Sequence, residues 1–201
     1  MEQPRDRSGQ ASGGAAEDPD AALLAAYAAG DAAAARRMAE RFTPLAFRLA
    51  LRMVGDRAEA EDLAQEAMIR LMRAAPGWRA GGARVTSWLY RVVANLCLDG
   101  QRRRPMVALD GVPEAEDGQP GVDALLTDRA RVAALDRAFA ALPERQRLAV
   151  VLRHIEGLAN PEIALILDVG VEAVESLIAR GLRGVKAALV GQRGALGYEE
   201  A

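Results

Sequence analysis

Trp88, Arg91, Asn95, Asp99 and Arg102 recur at intervals of three and four residues, the spacing that lines one face of an α-helix. Beside them Leu89, Val92, Val93, Leu96 and Cys97 form an apolar stripe for burial. A face carrying an indole, guanidinium groups and an amide suits single-stranded nucleic acid: the ring stacks on an unpaired base while arginine holds phosphate. Trp78, Arg79, Arg84 and Tyr90 lie close by, and the run closes with Arg102, Arg103 and Arg104. A core tryptophan among solvated arginines is the plainer alternative. The clustering of both tryptophans with so many arginines favours nucleic acid.

A second constellation lies near the end of the chain. Val171, Val174, Ile178, Leu182, Val185 and Leu189 mark one apolar helical face, leaving Glu172, Ser176, Arg180, Arg183 and Lys186 on the free one. A short helix beginning at Asn160-Pro161-Glu162 precedes it, across a glycine-containing turn at Val169-Gly170. Short helix, tight turn and longer, partly basic helix make a helix-turn-helix, whose second helix enters the DNA major groove.

Glu61, Asp62, Gln65 and Glu66 give a third face. Acids in a first helical turn are stabilised by the macrodipole, but Gln65 and Glu66 lie beyond that turn, which leaves room for a partner bearing arginines. Catalysis finds no foothold. His154 is the only histidine and Cys97 the only cysteine, so there is no metal set and no nucleophile–base pair, nor is there a glycine-rich phosphate loop. No enzyme, metal or cofactor is expected, and Cys97 reads as a small core residue.

The elements that must position these faces are helices. Of 201 residues 51% are apolar and only 4% aromatic, with β-branched residues scarce, which points to an all-α protein. Two small helical domains are expected, residues 20–104 and 123–191, with a polar disordered arm at 1–19, a flexible acidic linker at 105–122 and a tail at 192–201. Asp20 is expected to cap the first helix, Gly30 to end it, and Asp31 to start a second carrying Ala34, Met38 and Phe42. Thr43-Pro44 reads as a fresh helix start, with proline at its first position. Gly55-Asp56 ends that helix and caps the next, on which Leu63, Ala67, Met68, Leu71 and Met72 take core spacing. Ala74 to Val85 reads as a loop and Thr86 as the cap of the tryptophan helix. In the second domain Val132, Leu135 and Phe139 face a core continued, after a restart at Pro143, by Leu148, Val151, Leu152 and Ile155, with a break at Gly157.

The net charge of −2 conceals an asymmetry: eight arginines against one acid from 70 to 104, then six acids and no base from 105 to 128. A lone cysteine allows no internal disulfide and fits a reducing cytoplasm. No apolar run approaches the ~20 residues that span a bilayer, so no membrane insertion is expected. The N-terminal stretch has no signal-peptide character.

Three stretches in order carry a family resemblance: Asp56-Arg57-Ala58-Glu59-Ala60-Glu61-Asp62-Leu63-Ala64-Gln65-Glu66, Thr86-Ser87-Trp88-Leu89-Tyr90-Arg91-Val92-Val93-Ala94-Asn95-Leu96, and Leu142-Pro143 through Arg180. Together they resemble a bacterial sigma factor of the extracytoplasmic-function group, which keeps only the sigma-2 and sigma-4 domains. The likeness covers nearly everything from Asp20 to Leu189. It implies a subunit that directs RNA polymerase to particular promoters and assists strand opening. It implies that Asp62, Leu63, Gln65 and Glu66 bind the clamp coiled coil of the polymerase β′ subunit, with the β flap as a further contact. It implies that Trp78, Arg79, Arg84, Trp88, Tyr90, Arg91, Asn95 and Arg102 to Arg104 melt and read the −10 element, holding an extruded base. Glu172, Glu175, Ser176, Ala179, Arg180, Arg183 and Lys186 would read the −35 element as duplex. The linker would thread the polymerase's nucleic-acid channels, and an anti-sigma factor is the expected regulator.

One departure concerns the recognition helix. Many relatives place a basic residue on each side of its serine, where this chain has Glu175 and Leu177. A glutamate there can accept from cytosine N4 or simply stabilise the helix dipole, and both remain open for Glu172 and Glu175. Gly181 and Gly184 are expected to weaken the helix by about 1 kcal/mol each relative to alanine. Two other classes compete. A sigma mimic that titrates an anti-sigma factor would have no use for Trp88 and Arg102 to Arg104, and a plain helix-turn-helix repressor would leave the Asp62–Glu66 face and the acidic linker unexplained.

Overall fold

Residues 18–79, 81–103 and 122–190 are described by the computed structural model, and they are helical with short connections. The first half comprises α1 (Pro19–Ala28), α2 (Ala32–Val54), α3 (Arg57–Ala74), a single 3-10 turn (Ala75–Gly77) and α4 (Val85–Arg103). The second comprises α5 (Val122–Ala140), α6 (Glu144–His154), α7 (Asn160–Leu167) and α8 (Val171–Val190). Most of the expected arm, most of the linker and the tail lie outside the described residues.

The start of the fold differs from the sequence expectation. Asp18, not Asp20, caps α1: its Oδ1 accepts from the Asp20 amide at 3.1 Å, and Pro19 takes the first helical position. Both residues, assigned to the arm by sequence, therefore belong to the fold. Asp20 is buried and binds Arg41 of α2 through both oxygens, at 2.8 and 3.1 Å, and this hydrogen-bonded pair raises the Arg41 pKa above its ordinary value. The other Asp18 oxygen accepts from the Val85 amide at 2.8 Å. One carboxylate thus caps two helices, and α4 starts at Val85 with Thr86 already inside its first turn.

Helix α2 is the spine of the first half, and it runs straight through Thr43-Pro44 where a new start was expected. Proline there gives up one backbone hydrogen bond, at about 3 kcal/mol. Ala34, Met38, Phe42, Ala46, Leu49 and Met53 nevertheless form one uninterrupted buried stripe on both sides of it. Burying Phe42 and Leu49 alone is worth about 1.5–3 kcal/mol each, so tertiary packing outweighs the local preference. Gly55 closes the helix in the left-handed conformation (φ 74°) and Asp56 caps α3 through the Glu59 amide, as the sequence indicated. Leu71, Leu89 and Val93 complete this core.

In the second half α6 is central, with Leu148, Val151 and Leu152 fully buried among Ile163 of α7 and Val174 of α8. Three expected core residues are corrected: Val132 is 60% exposed, and Leu135 and Ile155 are also exposed. The inward side of α5 is lined by Ala134 and Ala138. On α8 the buried positions are Val174 and Gly181, while Val171 and Leu182 stay exposed. The turn between α7 and α8 takes its left-handed residue at Asp168 (φ 53°) rather than at Gly170, a conformation that aspartate tolerates better than most side chains.

The two halves touch. Helix α2 packs on α5 and α6, and α4 packs on α7, so that one contiguous apolar core runs through both. Arg147 of α6 reaches across, its Nη1 donating to the Met53 carbonyl at the end of α2.

The packing of α8 on α6 can be tested at its glycines. A Cβ at Gly181 would lie 2.5 Å from Val150 Cγ2 and 3.2 Å from the Gln146 carbonyl oxygen, whereas one at Gly184 would meet only the flexible end of Leu142. Gly181→Ala is expected to lower stability by about 1–3 kcal/mol in urea unfolding, despite alanine's better helix propensity. Gly184→Ala should stay within about 1 kcal/mol of wild type, since Leu142 can yield against the propensity gain. Equal stabilisation by both would show that α8 is not pressed onto α6. Cys97 is buried, and desolvation pushes its thiol up to about 12. It should resist thiol reagents at pH 8 until the chain unfolds. Because the folded thiol is the harder to ionise, its contribution to stability is present below pH 9 and is lost as pH rises toward 12, a dependence that Cys97→Ala should remove.

Candidate nucleic-acid interface

Helix α4 presents the face anticipated for it. Leu89, Val93 and Cys97 are buried, while Arg91, Asn95 and Asp99 are exposed along the opposite side. Trp88 and Trp78 are both half-buried and meet edge to face, with ring centroids 5.8 Å apart and planes at 86°. Each ring steadies the other against the core. Arg79 and Arg84 are exposed on the loop leading into α4. Arg102 and Arg103 fall on its last turn, and Arg104 lies outside the described residues.

Tyr90 is corrected. Although it sits two residues from Trp88, its side chain is buried on the inner side of α4, and its hydroxyl donates to Glu156 Oε2 at 2.5 Å. Burial, reinforced by that carboxylate, raises the phenol pKa well above the ordinary value. In this packing Tyr90 belongs to the joint between the halves.

On α8 the sequence expectation and the surface coincide. Glu172, Glu175, Ser176, Ala179, Arg180, Arg183 and Lys186 all reach the surface. Arg180 Nε donates to the Ser176 carbonyl at 3.2 Å, which lays part of the guanidinium along the helix. The helix is held from behind by α6, α7 and α5, none of which covers that face. A rigid helix with serine, cations and two acids pointing outward can lie in a major groove, donating to phosphates and base edges and accepting from cytosine.

The face on α3 is partly self-satisfied. Arg57 pairs with Glu61 at 3.0 Å and Arg70 with Glu66 at 2.8 Å, both one turn apart. Asp62 and Gln65 are exposed between these pairs, and Leu63 is half-buried against the core. The pairing accounts for Glu66 without any partner, so Asp62 and Gln65 carry the stronger signal for an external contact.

Several groups at the joint escaped the sequence reading. Glu156, just beyond α6, has a side chain only 5% exposed, and its Oε2 receives Tyr90 from α4 and lies 3.7 Å from Arg48 of α2. Arg84 approaches Glu162 of α7 at 3.8 Å. A cleft of about 350 Å³ separates α4 from the second half, lined on one side by Arg91, Asn95 and Asp99 and on the other by Glu144, Arg145 and Asp168. No periodicity links positions so far apart in sequence, so nothing local could have announced them.

Comparison with known proteins covers the stretches of chain that carry these faces. The Sigma-70 region 2 family matches residues 38–105, and the Sigma-70, region 4 family matches residues 133–183. The ECF RNA polymerase sigma factor SigM of Mycobacterium tuberculosis is 36% identical over 171 residues, covering 84% of this chain and 83% of that protein. SigE of Mycolicibacterium smegmatis is 39% identical over 139 residues, 67% of this chain, although that match spans only 53% of the relative. Among solved structures, CnrH in complex with the cytosolic domain of CnrY aligns with a TM-score of 0.64 at 24% identity, covering 86% of this chain and 97% of that one. The sigma factor RpoE of Bartonella quintana, in complex with the anti-sigma factor NepR, gives 0.61 at 16% identity over 77% of this chain and 95% of that one. These two share the fold. Helices α3 and α4 lie inside the first matched region, and α7 with most of α8 inside the second, and the chain belongs to the extracytoplasmic-function sigma factors.

Proposed function

We propose that this chain is a promoter-specificity subunit in which each of the three faces has one task. Residues 20–104 act as the domain that binds core RNA polymerase and the −10 element, and residues 123–191 as the domain that binds the −35 element, joined by the linker at 105–122. Asp62, Gln65 and Glu66, with Leu63 behind them, hold the polymerase β′ clamp. Trp78, Arg79, Arg84, Trp88, Arg91, Asn95 and Arg102 to Arg104 take the separated strand, and the outer face of α8 reads duplex DNA. The observation that carries this reading is the exposure of a base-stacking, arginine-bearing face on α4 and a recognition face on α8 within one chain. The chain performs no reaction of its own and works in the cytoplasm with the polymerase. Among the described residues no helix is long and apolar enough to cross a membrane.

An anti-sigma protein is the natural regulator, as the NepR complex of the Bartonella protein illustrates for that relative. A helical inhibitor wedged between the halves would have to displace α4 from α7. Affinity purification from unstressed cells should recover such a protein at near-stoichiometric level. Recovery of polymerase subunits alone would count against it.

Run-off transcription with purified core polymerase on a promoter library tests the function as a whole. Replacing Gln65 with alanine and Glu66 with arginine should weaken co-purification with core polymerase while circular dichroism stays helical. Unchanged binding would remove α3 from the interface. Trp88→Ala should lower affinity for a pre-melted promoter, in the assembled holoenzyme, by about 1–3 kcal/mol on stacking grounds. Triple replacement of Arg102 to Arg104 should make the salt dependence shallower, by about 0.7 in logarithmic slope for each single-strand phosphate that is no longer neutralised.

A further inference from the structure

The buried positions of α8 decide which of its side chains lead. Val174 and Gly181, two turns apart, mark the line pressed inward where α8 packs on α5, α6 and α7. Directly opposite runs a second line, Glu172, Ser176, Ala179 and Arg183, spaced by four, three and four residues and exposed throughout. Arg180, whose Nε is tied to the Ser176 carbonyl at 3.2 Å, stands on one flank of that line and Lys186 on the other. Glu175 lies about 70° round the helix from the outer line, on the flank it shares with Leu182 and Lys186. Neither Glu172 nor Glu175 has an ion-pair or side-chain hydrogen-bond partner among the described residues. As like charges three residues apart they weaken the helix slightly, so helix stability alone gives no reason for the pair.

In a major groove the outer line lies over the base edges and the flanks face the phosphate walls. Ser176 and Ala179 are small, which lets the helix come close and brings Glu172, near its amino end, to the bases. A carboxylate can only accept. Guanine offers it O6 and N7 and thymine O4, all acceptors that repel it, while adenine sets N7 beside its amino group. Cytosine alone presents an amino donor with no acceptor next to it.

We infer that Glu172 is a base-selecting residue: it accepts from the N4 amino group of one cytosine, on a fixed strand of the −35 element, and so requires C at that position. Glu175 takes no part in the choice. Facing a phosphate wall, it lowers affinity for every duplex alike. The inference rests on the reading of α8 as the helix that meets duplex DNA. Stabilising the dipole from the first turn is the competing role for Glu172, and that role would leave base preference untouched.

Holoenzyme assembled from the full chain and core polymerase, offered a duplex library randomised across the −35 element, separates these roles. Wild type should enrich cytosine at one position. Glu172→Gln should move that position to adenine, which glutamine can hold through both N6 and N7, changing the adenine-to-cytosine ratio about tenfold and leaving the other positions as they were. Glu172→Arg should move the same position to guanine. Glu175→Gln should bind all sequences more tightly with unaltered preferences, the mark of a phosphate-facing residue. Circular dichroism of each variant should stay helical, since both glutamates are exposed. Retention of the wild-type cytosine by both Glu172 variants overturns the inference, and so does a preference that moves with Glu175→Gln instead. Base preferences at −35 with no cytosine among them overturn it as well, while the reading of α8 stands. Enrichment of no −35 base at all, by a holoenzyme that still selects −10 sequences, defeats the assignment of α8 to duplex DNA and this inference with it.

Discussion

The buried guanidinium of Arg147 is the interaction on which the arrangement of the whole chain turns. It donates to the Met53 carbonyl at 2.6 Å, to that of Leu142 at 3.3 Å, and to that of Ala140. Met53 and Ala140 stand at the carboxyl ends of α2 and α5, where helices leave carbonyls unsatisfied and accumulate partial negative charge. One cation therefore satisfies two helix ends and the bend into α6. Burial lowers its pKa from the ordinary value, but an arginine stays charged under any physiological condition, so the pairing does not depend on pH there. The end of α2 belongs to the first half and the end of α5 to the second, which makes this residue the hinge point of the fold.

Around that point the two kinds of contact divide the labour. Within each half the packing is apolar and close: Phe42, Leu49 and Leu71 in one, Leu148, Leu152 and Ile163 in the other. Between the halves the apolar core continues, and polar contacts join it, from Arg147 on Met53 to Tyr90 and Arg48 on Glu156. Apolar surface is costly to expose, whereas paired charges near solvent regain water on separation. The physical consequence is two helical units built on one shared apolar core, with polar contacts setting how they meet.

The recognition helix illustrates how a local weakness becomes a tertiary asset. By propensity Gly181 is a poor helical residue, and in the fold it is the place where α8 presses against Val150 and the Gln146 carbonyl. That contact fixes the helix from behind and leaves its reading face outward. Asp18 works in the same spirit, committing both oxygens of one carboxylate to the starts of α1 and α4.

The sequence by itself determined the helical class, the caps at Asp31 and Asp56, the stop at Gly55, and the exposed faces of α4 and α8. Each rests on spacing or on a neighbour within one turn, where the chain's local geometry leaves few choices. It misplaced what depends on distant partners. Pro44 suggested a break because its missing N–H is a local fact, but the buried stripe from Ala34 to Met53 is decided by the helices packed against it. Val132 and Leu135 suggested a core face, yet it is Ala134 and Ala138 that are buried, because the side of α5 that meets its neighbours is set by how it packs on α8 and α2. Tyr90 shares its helix with Trp88 but turns inward to a carboxylate 66 residues away. Only the tertiary structure decided that the halves meet, because Arg147, Glu156 and Glu162 act through partners that no interval along the chain connects.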